Sequence, residues 1–190
     1  MSSKYGLSWK RYKWLAAAWI ALGQQDRALA TLEQMLTQFP CDAYALTQTA
    51  QLKAKRGDAL GAISDYELLL QQPGAHDGVW IALGTLHFQN DVLDRAEVCF
   101  RTATTLGIEQ EHAWYGLGVC LMRQGRLDEA VHALERTTRV EPTNPDAWVQ
   151  LARIHVDRQA PDETKKIIKH LKEFEPKYAA QLERETGLAG

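Results

Sequence analysis

Serine, cysteine and histidine are the residues of this 190-residue chain whose side chains could do covalent or metal chemistry, and their spacing argues against both. Ser2, Ser3 and Ser8 crowd into the start of the chain, and Ser64 lies in an amphipathic window without the strand-turn-helix elbow that presents a nucleophile. Cys41, Cys99 and Cys120 stand at no ligand or disulfide spacing. An odd set of thiols fits a reducing compartment, where cysteine serves as a small apolar filler. His76, His112, His132 and His170 have no neighbour at metal-ligand spacing. Gly116-Leu117-Gly118 lacks the third glycine and the preceding strand of a dinucleotide loop. The chain therefore reads as non-enzymatic, with no catalytic residue, cofactor or metal expected.

Charge narrows the field further. Twenty-two basic against 24 acidic residues leave a formal charge of −2, so no overall field favours nucleic acid or an anionic surface. The basic run from Lys165 to Lys172 is flanked by Asp162, Glu163, Glu173 and Glu175 and reads as a solvated outer face. No segment approaches the roughly 18 to 20 apolar residues of a membrane span. Residues 4–23 also fit a signal-peptide pattern, with Lys4, Lys10, Arg11 and Lys13 ahead of the apolar run Trp14 to Leu22. That run is short and contains two tryptophans, and the same residues fall on positions of a repeat that fills the chain. A cytoplasmic protein is expected.

The repeat has a period of 34. Trp80, Trp114 and Trp148 are spaced by it, and the same step backward reaches Leu46 and Tyr12. Small residues follow four positions later in every unit (Ala16, Ala50, Gly84, Gly118, Ala152), and Ala28, Ala62, Ala96, Ala130 and Thr164 recur further on. Large residues close the pattern at Leu32, Tyr66, Phe100, Leu134 and Ile168, with Pro40, Pro73, Ile108, Pro142 and Pro176 near the unit ends. Each unit holds two windows with apolar residues at i, i+3, i+4 and i+7, the signature of a one-sided helix. Gly23, Gly57 and Gly125 lie between the windows, where a left-handed helix end needs no Cβ. Asp26, Asp58 and Asp128 fall at or near the next helix start, and Pro161 opens the last second helix. The small residue of the first helix is expected to face the alanine of the second, so that Gly118→Leu or Ala130→Leu overpacks the contact.

This pattern resembles the tetratricopeptide repeat family over residues 9–178, in units 9–42, 43–76, 77–110, 111–144 and 145–178. The resemblance implies an all-α, right-handed superhelical solenoid of antiparallel helix pairs. Residues 1–8 read as a tail and 179–190 as a C-terminal capping helix and tail, with Tyr178 and Leu182 on one face of that helix and Gly187 ending it. His87 and His155 occupy a position usually held by Tyr or Leu in the family.

In the family, first helices line a concave groove. Carried over position by position, this implies a peptide-binding groove of Thr47, Gln51, Lys55, Ile81, Thr85, Phe88, Tyr115, Val119, Met122, Arg123, Val149 and Arg153. Its apolar content points to an extended or helical protein segment as ligand. Some members grip a chaperone's terminal carboxylate through Lys and Asn; here Lys13 matches one position, but Ala17, Gln48 and Thr85 replace the others, so the clamp is expected to be missing. Trp9 and Trp14 on an unusually apolar first helix form a candidate oligomer or partner face. The function implied is a protein-interaction scaffold or adaptor. Alternatives are a secretion or assembly chaperone for hydrophobic proteins, the targeting region of a larger enzyme, and a homo-oligomeric assembly module.

Overall fold

A computed structural model describes residues 6–72, 78–108 and 110–189. Pro73, His76 and Lys4 lie outside them. Among the described residues every regular element is a helix, and none is long and apolar enough to cross a membrane. The chain divides into two compact units, Met1–Val79 and Trp80–Gly190.

The first unit contains α1 (Leu7–Ala21), α2 (Gln25–Gln38), α3 (Ala43–Lys55) and α4 (Ala59–Leu70). Short turns fold α1 back on α2 and α3 back on α4, and α2 packs on α3. Its core is small and apolar: Ala16, Ala28, Leu32, Met35 and Ala45 have no exposed surface. The second unit contains α5 (Val79–Gln89), α6 (Leu93–Leu106), α7 (Gln110–Arg123), α8 (Leu127–Val140), α9 (Pro145–Asp157), α10 (Pro161–Phe174) and α11 (Pro176–Thr186). One cluster runs through it from Phe100 by way of Leu121, Leu134 and Ile154 to Leu171 and Leu182.

The same turn joins the two helices of each pair. Gly23, Gly57, Asp91, Gly125 and Gln159 all have positive φ, between 55° and 82°. They are spaced by the repeat, and each N–H bonds the carbonyl three residues back (Ile20, Ala54, Phe88, Met122, Val156). The following N–H reaches five residues back, from Gln24 to Trp19 through to Ala160 to His155. This double bond pattern ends a helix on a left-handed residue and satisfies its orphan carbonyls. Glycine spacing marks three of these turns; Asp91 and Gln159 adopt the same conformation with a side chain.

Starts of helices are fixed by side chains where the repeat meets its neighbour. Asp42 accepts from Ala45 N–H at 2.9 Å and Asn144 from Ala147 N–H at 3.1 Å, each capping a first helix. Both caps also reach the first position of the preceding repeat: Trp9 Nε1 donates to Asp42 at 2.7 Å, and Asn144 donates to Glu111 at 2.6 Å. Of the aspartates expected at second-helix starts, Asp58 caps α4 through Gly61 N–H at 2.9 Å, whereas Asp26 and Asp128 lie inside the first turn.

Close approach within the second unit depends on two glycines of adjacent first helices. A Cβ on Gly84 would lie 2.8 Å from the Phe100 ring, and one on Gly116 would run into the same ring. Gly118 faces Leu134, where an added Cβ would come within 2.7 Å of Cγ. The nearest partner of the small residue is thus the large side chain of the second helix, not the expected alanine. Ala130 is fully buried in the same core cluster.

Candidate peptide-binding face

Helical spacing sets the residues that the first helices of the second unit present together. On α7, Tyr115, Val119 and Met122 lie on one stripe, and on α5 the corresponding stripe is Ile81, Thr85 and Phe88. Ile81, Phe88, Tyr115 and Met122 are half-buried, packed against the core from one side. Thr85 is exposed, its hydroxyl bonded to Ile81 C=O.

One cross-link joins these stripes. Arg123 lays its guanidinium over the Phe88 ring, 5.0 Å from the centroid, and donates to Phe88 C=O at 3.3 Å, with Asp91 3.8 Å away. The cation is thereby held at the edge of an apolar strip. On the other side Tyr115 lies near Gln150 of α9 and near Asp146, Arg153 and Tyr178. Burial, followed by the Asp146 charge, raises the Tyr115 phenol above its ordinary value, so it stays a neutral hydrogen-bonding group.

Arg153 is exposed and paired with Glu185 of α11 at 3.4 Å, while Gln181 donates to the same carboxylate at 2.7 Å. Glu185 of α11 therefore reaches back to α9. Val149 is only 5% exposed and belongs to the core. Gln150, one residue on, takes its place beside Tyr115. The face thus runs over α5, α7, α9 and α11, apolar with one cation at its α5–α7 side and polar at its α9–α11 side.

In the first unit, Thr47 is half-buried and bonds Ala43 C=O, Gln51 is exposed and accepts weakly from Gln48 at 3.4 Å, and Lys55 is exposed. Lys13 lies between two rings, 5.0 Å from Trp9 and 4.7 Å from Tyr44. Trp9 is half-buried and hydrogen-bonded to Asp42, so it belongs to the packing of the unit rather than to an open partner face. Trp14 is different, with 73% of its surface exposed.

Several of the side chains with chemical potential are spent on packing: Cys99 and Cys120 are buried, whereas Cys41, against the expectation of an apolar filler, is exposed. Burial, ahead of the Glu97 charge, pushes the Cys120 thiol up to about 11, far from a nucleophilic thiolate. His87 is buried, His132 meets Trp114 edge-on, and His170 meets Trp148 edge-on with ring centroids 4.6 Å apart. His155 is held below its ordinary value by burial, against the raising effect of Glu163. It lines a cleft of about 530 Å³ between α8, α9 and α10, whose wall charges pair among themselves as Lys166–Glu163 and Arg139–Glu135. On the basic helix, Ile168 and Leu171 are fully buried and Lys172 pairs with Glu183 at 2.8 Å. Among the described residues no cluster of three His, Cys, Asp or Glu is placed to hold a metal ion.

Models of the tetratricopeptide repeat match residues 14–40, 81–134 and 121–184. The chain belongs to the tetratricopeptide repeat family. Its relatives include the general transcriptional corepressor ssn6 of Schizosaccharomyces pombe, 29% identical over 65% of this chain and 12% of that protein. A peroxisomal targeting signal receptor of Eremothecium gossypii is 32% identical over 42% of this chain and 14% of its own length. The chain thus spans only a small part of the curated relatives that it matches. Among solved structures, MamA superposes with a TM-score of 0.82 at 20% identity, covering 98% of this chain and 99% of that one. YrrB, described as a tetratricopeptide repeat protein with an unusual peptide-binding site, gives 0.76 at 20% identity, covering 91% and 90%. These likenesses establish an all-α tetratricopeptide repeat solenoid fold, and the family resemblance supports a protein-interaction scaffold in general terms.

Proposed function

We propose that the chain is a non-enzymatic adaptor and that its second unit binds an extended or helical segment of another protein across α5, α7, α9 and α11. The observation that carries this reading is the cross-link from Arg123 to Phe88, which ties α7 to α5 beside the half-buried apolar groups Ile81, Tyr115 and Met122. Such strips, rimmed by fixed polar groups and rich in aromatic and Arg residues, are where protein partners gain most of their binding energy. The likeness to YrrB, a repeat protein with a peptide-binding site, points the same way. The polar α9–α11 side suits a ligand that is apolar along one edge only, and it favours an adaptor over a chaperone for wholly hydrophobic segments.

Thr85→Arg with Tyr115→Ala tests the reading without cutting deeply into the core, because Thr85 is exposed and Tyr115 half-buried. Partners captured by the wild-type chain and identified by mass spectrometry should be lost from the double variant, while its helical circular dichroism shows that it stays folded. Undiminished capture by a folded double variant places binding elsewhere.

A further inference from the structure

The cleft between α8, α9 and α10, about 530 Å³ in volume, has a counterpart one period earlier, where the chain supplies its own arginines. There Arg136 lies over the Trp114 ring, 5.6 Å from its centroid. Arg101 of α6 reaches Glu129 of α8 at 3.1 Å, and Arg126, just before α8, reaches Glu97 of α6 at 2.7 Å, so the two second helices are tied together. Leu121, two turns on from Trp114, is buried.

None of these cations recurs. One period on, His170 takes the place of Arg136 and meets Trp148 edge-on, Glu135 replaces Arg101, and Ala160 replaces Arg126. Glu163, the counterpart of Glu129, keeps its carboxylate. Two carboxylates, one on α8 and one on α10, therefore line the cleft where the earlier repeat has an Arg–Glu bridge. Each pairs with a cation of its own helix, Glu135 with Arg139 at 3.6 Å and Glu163 with Lys166 at 2.8 Å, so neither pair crosses the cleft. Arg139 and Lys166 are 68% and 71% exposed against 49% for both carboxylates, which makes the acidic groups the more enclosed. Exposed pairs of this kind are worth little, and either carboxylate can change partner at small cost. His155, the counterpart of Leu121, lies near both carboxylates, and burial holds it below its ordinary value, so at neutral pH it adds no cation. His170 Nε2 is enclosed and has no hydrogen-bond partner among the described residues, which leaves the wall with an unmet polar atom.

We propose that this cleft receives an arginine side chain of a partner segment, with its guanidinium against Trp148 and between Glu135 and Glu163. The incoming group then does what Arg136 and Arg101 do for the earlier repeat. A guanidinium suits both walls at once, because its plane lies on an indole while its fork of N–H groups meets carboxylates. The cleft is separate from the face on α5, α7, α9 and α11, so it adds a second point of contact whose chemistry is cationic rather than apolar.

The test is an NMR titration of the full chain with acetyl-arginine amide, its uncharged isostere acetyl-citrulline amide, and acetyl-glutamate amide, read at the Trp148 indole N–H and the His155 ring. Only the arginine probe should move these signals saturably. Glu135→Gln with Glu163→Gln should weaken its binding about tenfold or more, and both side chains are exposed, so the variant should keep its helical circular dichroism. Glu135→Arg restores the residue type of the earlier repeat and should abolish the shifts by placing the chain's own cation beside Glu163, without lowering the melting temperature. No shift with the arginine probe, equal shifts with citrulline, shifts with the glutamate probe alone, or undiminished binding by either variant overturns the proposal.

Discussion

Replacing Gln159 by glycine should stabilise the second unit, although it removes a side chain and adds nothing. Gln159 has φ 55°, at the place where Gly23, Gly57 and Gly125 have 69°, 82° and 77°. A Cβ in the left-handed region costs roughly 1–2 kcal/mol. Glycine returns about 0.5–1 kcal/mol of that through its greater freedom in the unfolded chain. Gln159 is exposed, so its removal leaves no packing hole. The net gain is about 0.5–1 kcal/mol, or roughly 1–4 °C in Tm for a chain of this size. Urea denaturation followed at 222 nm measures it through the shift of the midpoint, with Gly125→Gln as the reciprocal variant expected to lose a similar amount. Asp91→Gly should change stability less, because aspartate tolerates this conformation and Asp91 lies near Arg123. A lowered midpoint for Gln159→Gly, or an unchanged one for Gly125→Gln, would refute the argument that the shared turn, rather than its side chains, governs these junctions.

Other outcomes follow from single contacts. Gly118→Leu, whose Cβ alone would sit 2.7 Å from Leu134, should cost about 1–3 kcal/mol and lower Tm. Trp9→Phe keeps the ring but takes the 2.7 Å donor from the buried Asp42, at a cost of about 1–3 kcal/mol read in thermal unfolding of the first unit. Glu97 is pushed up by burial, yet hydrogen bonds from Arg126, Arg101 and Gln124 together hold its carboxyl below the usual range. Its stabilising effect is therefore complete above the unfolded carboxyl value, near about pH 4.3, and is lost as pH falls through the lower folded value. Glu97→Gln should flatten that part of the acid stability profile.

Much of this architecture was legible because the packing positions themselves recur. Trp80, Trp114 and Trp148, the small residues that follow them and the large ones of the second helices locate the helix pairs from spacing alone. The turn at Asp91 and Gln159 was not legible from residue type, since neither is glycine; only the register of the other three reveals it. On the candidate face, Phe88 and Arg123 are in contact, whereas Val149 turns into the core and Gln150 lies beside Tyr115. Repeat spacing cannot decide between adjacent residues when a helix rotates slightly to pack. Trp9 was misleading for a related reason: its indole N–H serves a cap 33 residues away, a pairing that no local pattern announces.

The ring of Phe100, seated between Gly84 and Gly116, bears on how such a protein can change over generations. Repeats look like interchangeable bricks, free to be duplicated, deleted or shuffled. Here the second helix of one repeat and the first helices of two repeats share a single fit of volumes, so those three segments must be inherited as a set. A recombination break between Phe100 and Gly116 would import a side chain where only hydrogen fits, and the boundary tolerated by selection would fall elsewhere than the boundary drawn by the period.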